Sequence, residues 1–514
     1  VKTPILGSAY VARSINAADN RMINLFPEIV PEGGKEPAFL NRAPGLRLLA
    51  NVGQGPIRGL WTFNNVGYVV SGTQLFKIDA NYNKALLGNV SGTGPVSMTD
   101  NGTQLFVACN GPSYIYNSGT TAFSQINDPD FTGAGQVGYL DGYFVYNEPN
   151  SQLLWVTSLL DGTQIDPLDF ASADGSPDGV VGIIVDHREL WVFGTKTVEV
   201  WYDAALEGFP FQRMQGAFNE IGCAAAYSIA KMDNGLFWLG ADARGQGIVY
   251  RSTGYTGQRI STHAIEYAIA QYGTISDAIG YTYQQEGHSF YVLTFPSGNA
   301  TWVYDVATQA WHERGAWTMG TNYNPAQFTR HRSNCQMFYN NEVIVGDFEN
   351  GNIYGFDLDV YSDNGAEQKW LRSWRALPTD ANNLKRTAHH TLQLDCESGV
   401  GLGVYPADGE NTLVNQSGFE ITTEDGFSLV TLPYPDWAGY NPQVMLRWSD
   451  DAGHTWSNEH WSPMGKIGNY SQRVFWRRLG MTMKLRDRVY EISGTDPNKV
   501  VIMGAELILS PTNA

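Results

Sequence analysis

Short strands that keep returning after tight turns constrain this chain more than any other feature. Between residues 57 and 359 one theme recurs: an alternating apolar strand, a turn of Gly, Asn or Asp, and an outer strand ending in an aromatic. GLWTFNNVGYVVSGTQLFKID (59–79) is followed by VSMTDNGTQLFVACNGPSYIYN (96–117) and VGYLDGYFVYNEPNSQLLWVTS (137–158), and G-T-Q-L-F occurs in both of the first two. The theme continues as VGIIVDHRELWVFGTKTVEVWY (181–202), SIAKMDNGLFWLGADARGQGIVYR (228–251), IGYTYQQEGHSFYVLTFPSGNATWVYD (279–305) and MFYNNEVIVGDFENGNIYGFD (337–357). A sheet with two apolar faces must bury both, and a closed ring of roughly six or seven such sheets does so by packing each against its neighbours. A β-propeller over residues 57–360 is the expectation, with a stacked sandwich as the alternative.

The flanks read differently. Residues 1–56 carry NRMINLFPE (20–28) and APGLRLL (43–49) around the turn-rich PEGGKEP (31–37), which suggests an extended segment packing on the propeller or on a neighbour. Within the repeats, HAIEYAIAQY (263–272) has apolar residues at helical spacing and predicts a short helix facing the core between two blades. After a turn at DVYSDNG (359–365), residues 361–514 again alternate strand and turn, in HHTLQLDCESGVGLG (389–403), VMLRWSDDAGHTW (444–456) and VVIMGAELIL (500–509). The expected class is all-β, a β-propeller of about six or seven blades followed by a β-sandwich-like domain.

Composition matters chiefly for what it excludes. Hydrophobic residues are 43% and charged residues 16%, so the chain folds; the net charge of −18 speaks against nucleic-acid binding through a general basic field. An acidic surface would instead let DNA pass without sticking. Cys109, Cys223, Cys335 and Cys396 lie far apart, which indicates neither a zinc site nor a disulfide framework and leaves buried free thiols as the expectation. The longest aliphatic run, 180–185, contains a glycine and is far too short to span a membrane, and no signal peptide is visible at Val1-Lys2-Thr3, so no membrane insertion is expected.

Charge is uneven after residue 361. From 387 to 463 the only Lys or Arg is Arg447, among Asp395, Glu397, Asp408, Glu410, Glu420, Glu424, Asp425 and Asp436. KIGNYSQRVFWRRLGMTMKLRDR then gathers Lys466, Arg473, Arg477, Arg478, Lys484, Arg486 and Arg488. The plain reading is a solvated strand face; the sharper one is a contact with an acidic neighbour.

One motif invites chemistry. In RWSDDAGHTWSNEHW (447–461), Ser449, Asp451, Gly453, Thr455 and Trp456 fit S-x-D-x-G-x-T-W, an Asp box. Asp451 is placed to accept N–H bonds across the turn, Gly453 to take positive φ, and Trp456 to carry an apolar ring back into a core. Each of these roles is structural. A sialidase-type site needs an arginine cluster, a Tyr–Glu nucleophile and an acid/base Asp on several blades, and no such constellation stands out by spacing. G-x-S-x-G, H-E-x-x-H and P-loop patterns are absent from the sequence. His389 and His390 are adjacent on a strand and face opposite ways. Asp357, Asp359 and Asp363 crowd a turn but depart from the EF-hand spacing, which favours turn-capping roles over calcium. No catalytic, cofactor or metal residue is therefore expected.

NRMINLFPE, APGLRLL and GLWTFNN, the run DGVVGIIVDHRELWVFGTKTVEVWYDA (178–204), GNIYGFDLDVYSDNG, LQLDCESGVGLG, and most specifically QVMLRWSDDAGHTWSNEHWSPMGKIGNYSQRVFWRRLG (443–480) together resemble the packaged-DNA stabilisation proteins of short-tailed phages, also called tail hub or nozzle proteins. The resemblance covers nearly the whole chain. It implies a structural virion protein, made in the host cytoplasm and placed in the phage tail as a hexameric ring below the portal and its adaptor ring. It also implies a propeller plus a sandwich-like region that extends the DNA channel and, with a needle or plug, retains packaged DNA until ejection, with tailspikes or fibres as further neighbours. It brings no catalytic residues. Arg473, Arg477 and Arg478 are then candidates for an inter-subunit or adaptor contact. A sialidase-like glycosidase and a host-receptor-binding tail protein are the alternatives.

Overall fold

The computed structural model describes the chain except for residues 16–17, 174, 243–244, 321–325, 379–385, 403–414, 416–420, 425–437, 483–487 and 512–514. The chain forms two compact units, one from Tyr10–Arg13 and Leu46–Asp357, the other from Val1–Ala9, Ser14–Gly45 and Leu358–Ala514.

The first unit is a propeller with seven blades among the described residues. Blades 1 to 6 are contiguous stretches of chain, at 57–89, 97–125, 137–172, 180–219, 222–259 and 279–318, each a meander of antiparallel strands. Blade 7 takes three strands from 333–357 and completes itself with Gly45–Asn51 as its outermost strand. The innermost strands touch one another in a closed circuit, with Ser333–Tyr339 beside Ile57–Phe63.

Local sequence explains the blade. In six of the seven, the strand that lines the axis is joined to the next by a two-residue turn with both φ positive: Asn64–Asn65, Asp141–Gly142, His187–Arg188, Asp233–Asn234, Glu286–Gly287 and Asn340–Asn341. Such turns match the right-handed twist of the strands they connect, which is why Asn, Asp and Gly dominate there. The third strand often ends in an Asx residue that caps the next turn. Asp79 accepts from the backbone N–H of Asn81 and Asn83, Asn117 from Gly119 and Thr120, and Asp305 from Ala307. The repeated G-T-Q-L-F lies between the second and third strands of blade 1 but between the first and second of blade 2. It is a hairpin sequence, not a marker of blade register.

Consecutive blades are welded by apolar clusters. Val69 and Phe76 of blade 1 meet Met337 and Ile344 of blade 7; Phe106 of blade 2 meets Phe144 of blade 3; Phe193 of blade 4 meets Trp238 of blade 5. Helix His263–Ala270, capped by the Thr262 hydroxyl, adds Ile265 and Ile269 to the cluster between blades 5 and 6, as its spacing predicts. The seam between blades 6 and 7 is more polar: the Tyr281 hydroxyl pairs with that of Ser333, and the buried Arg314 guanidinium lies over the rings of Tyr283, Phe290 and Phe356.

The second unit is a β-sandwich. One sheet runs Leu25–Ile29, Ala38–Arg42, Val501–Pro511, Thr387–Cys396, Val474–Met481; the other runs Met22–Ile23, Trp370–Arg375, Val489–Gly494, Gln443–Ser449, His460–Pro463. Trp370, Trp374, Leu392, Leu446, Trp476, Tyr490, Ile492 and Leu507 fill the space between them. The segment 1–56 is thus not an extended strip on the propeller. Most of it, to Gly45, supplies strands to the sandwich, and only its last part closes blade 7. The physical reason lies in unpaired edges and carbonyls that this segment satisfies. Val1 and Thr3 pair with Leu507 and Ala505, and the fully buried Arg372 donates to the carbonyls of Ile5, Gly7 and Arg21. Burial lowers the Arg372 pKa to about 9.

Candidate functional site

The Asp box is a closed hydrogen-bond ring at the end of strand Gln443–Ser449. Ser449 Oγ donates to Asp451 Oδ1 at 2.6 Å and accepts from the Gly453 N–H at 2.7 Å. Thr455 donates its N–H to Asp451 Oδ1 at 2.8 Å and its hydroxyl to Oδ2 at 2.6 Å. Hydrogen bonds from Ser449 and Thr455 hold the Asp451 carboxyl well below the usual carboxylate range. Gly453 sits at φ +99°, and a side chain there would strike the carboxylate of Asp19. Both carboxylate oxygens are committed to the turn. Trp456 corrects the expectation made for it: its ring is only half-buried, outside the core cluster, with the Arg447 guanidinium 4.7 Å from its centre. The ring covers a cation and not the sandwich interior.

Arg473, Arg477 and Arg478 come together on the surface. They lie on or just before the edge strand Val474–Met481, all three exposed. Alternation buries Val474 and Trp476 and turns Phe475 and Arg477 outward, with Arg477 stacked over Phe475 at 4.6 Å. Arg473 donates to Gln393 Oε1 on the neighbouring strand, and Arg477 and Ile508 flank Thr391 on either side. Arg478 has φ +61° at the register shift opposite His389–Thr391, a bulge that reorients the strand end. Arg488, from the same basic run, is buried and paired with Asp450, so it is a core clamp. Lys484 and Arg486 lie outside the described residues, as do Asp408, Glu410, Glu420, Asp425 and Asp436 of the acidic stretch.

The other candidates disperse. His389 is buried between the hydroxyls of Tyr490 and Thr387, while His390 is exposed beside Ser510. Asp357 receives Arg47 and Asp363 accepts from Gln368, and no cluster of three or more potential metal-ligating residues occurs among the described residues. Cys109, Cys223, Cys335 and Cys396 are free thiols. Along the propeller axis a cavity of about 620 Å³ is lined by the inner strands of all seven blades, including Arg58, Gln136, Tyr227 and Asn334. Arg58 is spent on the carbonyls of Gly94, Gly72 and Ser91.

A second charged surface lies in the propeller. Between Lys84 and Arg188 the sequence has no Lys or Arg but eleven Asp or Glu, and this gap spans blades 2 and 3. On the loop 157–169 and the neighbouring loop 204–210, exposed Leu168, Phe170 and Leu206 stand among Asp166, Asp169 and Glu207. Burial and the nearby Asp166 push the Asp169 carboxyl up. The missing cations were the available sequence signal, visible only once blade boundaries are known.

Both units match known domains. A family model described as Bacteriophage P22 Gp10, beta-propeller, matches residues 1–361, more than half of the chain. The chain belongs to the Gp10 family. A second model, Bacteriophage P22 Gp10, beta-sandwich, matches residues 405–509. The tail hub protein gp10 of Salmonella phage P22 is 23% identical over 389 residues, covering 68% of this chain and 81% of that relative. Among solved structures, the extracellular domain of the one-component system BT4673 of B. thetaiotaomicron is 13% identical with a TM-score of 0.39, covering 93% of this chain and 61% of that one. The computationally designed Ika8 protein is 14% identical with a TM-score of 0.38, covering 61% and 99%. Gp10-family membership fits an all-β chain with a propeller and a sandwich, as the repeats and the C-terminal strands predict.

Proposed function

We propose that this chain is a structural tail hub protein of a short-tailed phage, assembled as a ring below the portal and its adaptor. There it extends the DNA channel and, with a needle or plug, retains packaged DNA until ejection. The carrying observation is that Gp10-family models match both regions of the chain, propeller and sandwich, together with 81% coverage of a protein named tail hub. Geometry adds a supporting argument for several copies around one channel. The axial cavity is about 620 Å³, and spread along inner strands about 20 Å long it gives a bore under about 10 Å. The major groove of DNA alone is about 12 Å wide, so duplex DNA does not thread a single propeller. A channel for it has to be bounded by more than one copy.

The Asp box does not favour the glycosidase reading, because Asp451 is engaged on both oxygens by its own turn. Negative-stain microscopy of the purified chain tests the proposal. A sixfold ring with a central hole is the expected result; a monomer at micromolar concentration that also fails to incorporate into particles overturns it.

A further inference from the structure

We propose that the acidic, apolar surface on blades 3 and 4 of one copy docks on the basic, apolar outer face of the sandwich of a second copy. The inference rests on the ring reading above and names the two surfaces that would build the ring. On the propeller side the centre is Leu168, 78% exposed, with Phe170 and Leu206, and the rim is Asp166, Asp169 and Glu207. No lysine or arginine occurs from residue 85 to 187, and of the blade 4 cations Arg188 is paired with Asp141 and Arg213 with Glu199. On the sandwich side the centre is half-buried Phe475 with Ile508, 61% exposed, and the rim is Arg473, Arg477 and Arg478, with exposed Glu506 opposite Gln393 as its acidic member.

Three observations carry the pairing. Each surface exposes at least one large aliphatic side chain that a solvated monomer face has no need of and sets charge beside it, acidic on the propeller and predominantly basic on the sandwich, where exposed Glu506 opposite Gln393 is the exception. The two signs are opposite. Neither surface is self-complementary, because a two-fold contact would set acid on acid or base on base, whereas contact between unlike surfaces is the head-to-tail kind that generates rings. Two of the three arginines are also held in place: Arg477 lies on Phe475, and Arg473 is bonded to Gln393. They are presented as a fixed face with less freedom to lose on docking than unrestrained side chains would have.

Charge reversal on full-length chains tests the pairing. One variant carries Arg473→Glu, Arg477→Glu and Arg478→Glu; the other carries Asp166→Lys, Asp169→Lys and Glu207→Lys. Ring formation is read by sedimentation and negative stain. Each variant alone should need at least ~10-fold more protein to assemble than the unaltered chain, and a 1:1 mixture should recover assembly, because every junction again pairs unlike charges. Recovery also shows that both variants are folded. If the unaltered chain forms no ring, the pairing is overturned, and the functional reading falls with it only if the chain also fails to incorporate into particles. If it forms rings and either variant assembles normally, or the two fail alone and also fail mixed although their melting curves match the unaltered chain, the ring stands and this pairing is wrong. For a variant with an altered melting curve, the neutral set Arg473→Gln, Arg477→Gln, Arg478→Gln, or Asp166→Asn, Asp169→Asn, Glu207→Gln, replaces it. A neutral set that assembles at the normal concentration overturns the pairing, and a weakened one supports it.

Discussion

The propeller and the sandwich solve the same burial problem from opposite kinds of sequence. Six propeller blades are contiguous, so their contacts are mostly between strands that follow one another in the chain, and only Gly45–Asn51 is brought from afar to finish the seventh. The sandwich is made from the two ends of its unit: Leu25–Ile29 and Ala38–Arg42 join Val501–Pro511, and Met22–Ile23 joins Trp370–Arg375. Local repetition makes a fold that can be seen in sequence and that closes with one strand. Long-range pairing makes one that depends on every distant partner.

Truncation should break this comparison most severely. Removing residues 1–44 takes three strands and the Arg372 anchor from the sandwich but leaves Leu46–Asn51 for blade 7, so limited proteolysis should spare a core spanning 46–357 and digest the C-terminal part. Removing 1–51 should leave no resistant core at all. If both truncations leave the same propeller core, the closing strand is dispensable and the comparison fails.

Trp374→Ala is next in size. Its side chain is fully buried in the sandwich core and donates to Thr3 Oγ1. A loss of about 3–5 kcal/mol is expected in denaturant unfolding, with the Thr3 and Leu507 amides losing hydrogen-exchange protection first. Loss of protection spread evenly over the blades would count against a sandwich held by its ends.

Acid should reach both units through buried histidines. Burial, with help from Arg488 and His390, lowers the His389 pKa in the sandwich to about 3, and burial with Arg314 and Arg332 does the same to His331 in the propeller. A histidine whose folded value is depressed binds more protons unfolded, so stability falls as pH drops from about 6.5 towards 3. Each contributes about 2 kcal/mol of loss by pH 5. His389→Gln should flatten the acid dependence of the sandwich, and His331→Gln should reduce that of the propeller, where buried His312 is depressed in the same direction; a slope unchanged in both removes the histidines from the account.

The smallest effect belongs to Asp451→Asn, which should raise exchange at the Thr455 amide without unfolding the sandwich. Because the folded carboxyl is depressed, the stability it lends is present above its unfolded value near about 3.9 and fades as pH falls below it. Unaltered exchange at Thr455 would mean that the backbone alone holds the hairpin.

Legibility followed contact range. The blades, helix His263–Ala270 and the Asp-box turn were readable because Asn64–Asn65, Asp141–Gly142, Thr262 and Gly453 act within a few residues. The role of Gly45–Asn51 was not, since nothing in GLRLLAN marks its partner three hundred residues later. Trp456 was misplaced because the box specifies a turn, whereas the depth of the ring depends on Arg447, one strand back. The basic face at Arg473, Arg477 and Arg478 was visible as a run of charge; its acidic counterpart was hidden in an absence of cations that only blade boundaries make meaningful.

Blade 7 also sets a timetable. Gly45–Asn51 leaves the ribosome early, yet its partner Asn352–Asp357 follows some three hundred residues later, a wait of about 15–60 s at ordinary synthesis rates. Throughout that interval an unpaired strand and an open ring edge coexist on a growing chain, and each is a template for a neighbouring chain doing the same. Expression at lower temperature or lower ribosome density should therefore favour closed rings over entangled ones.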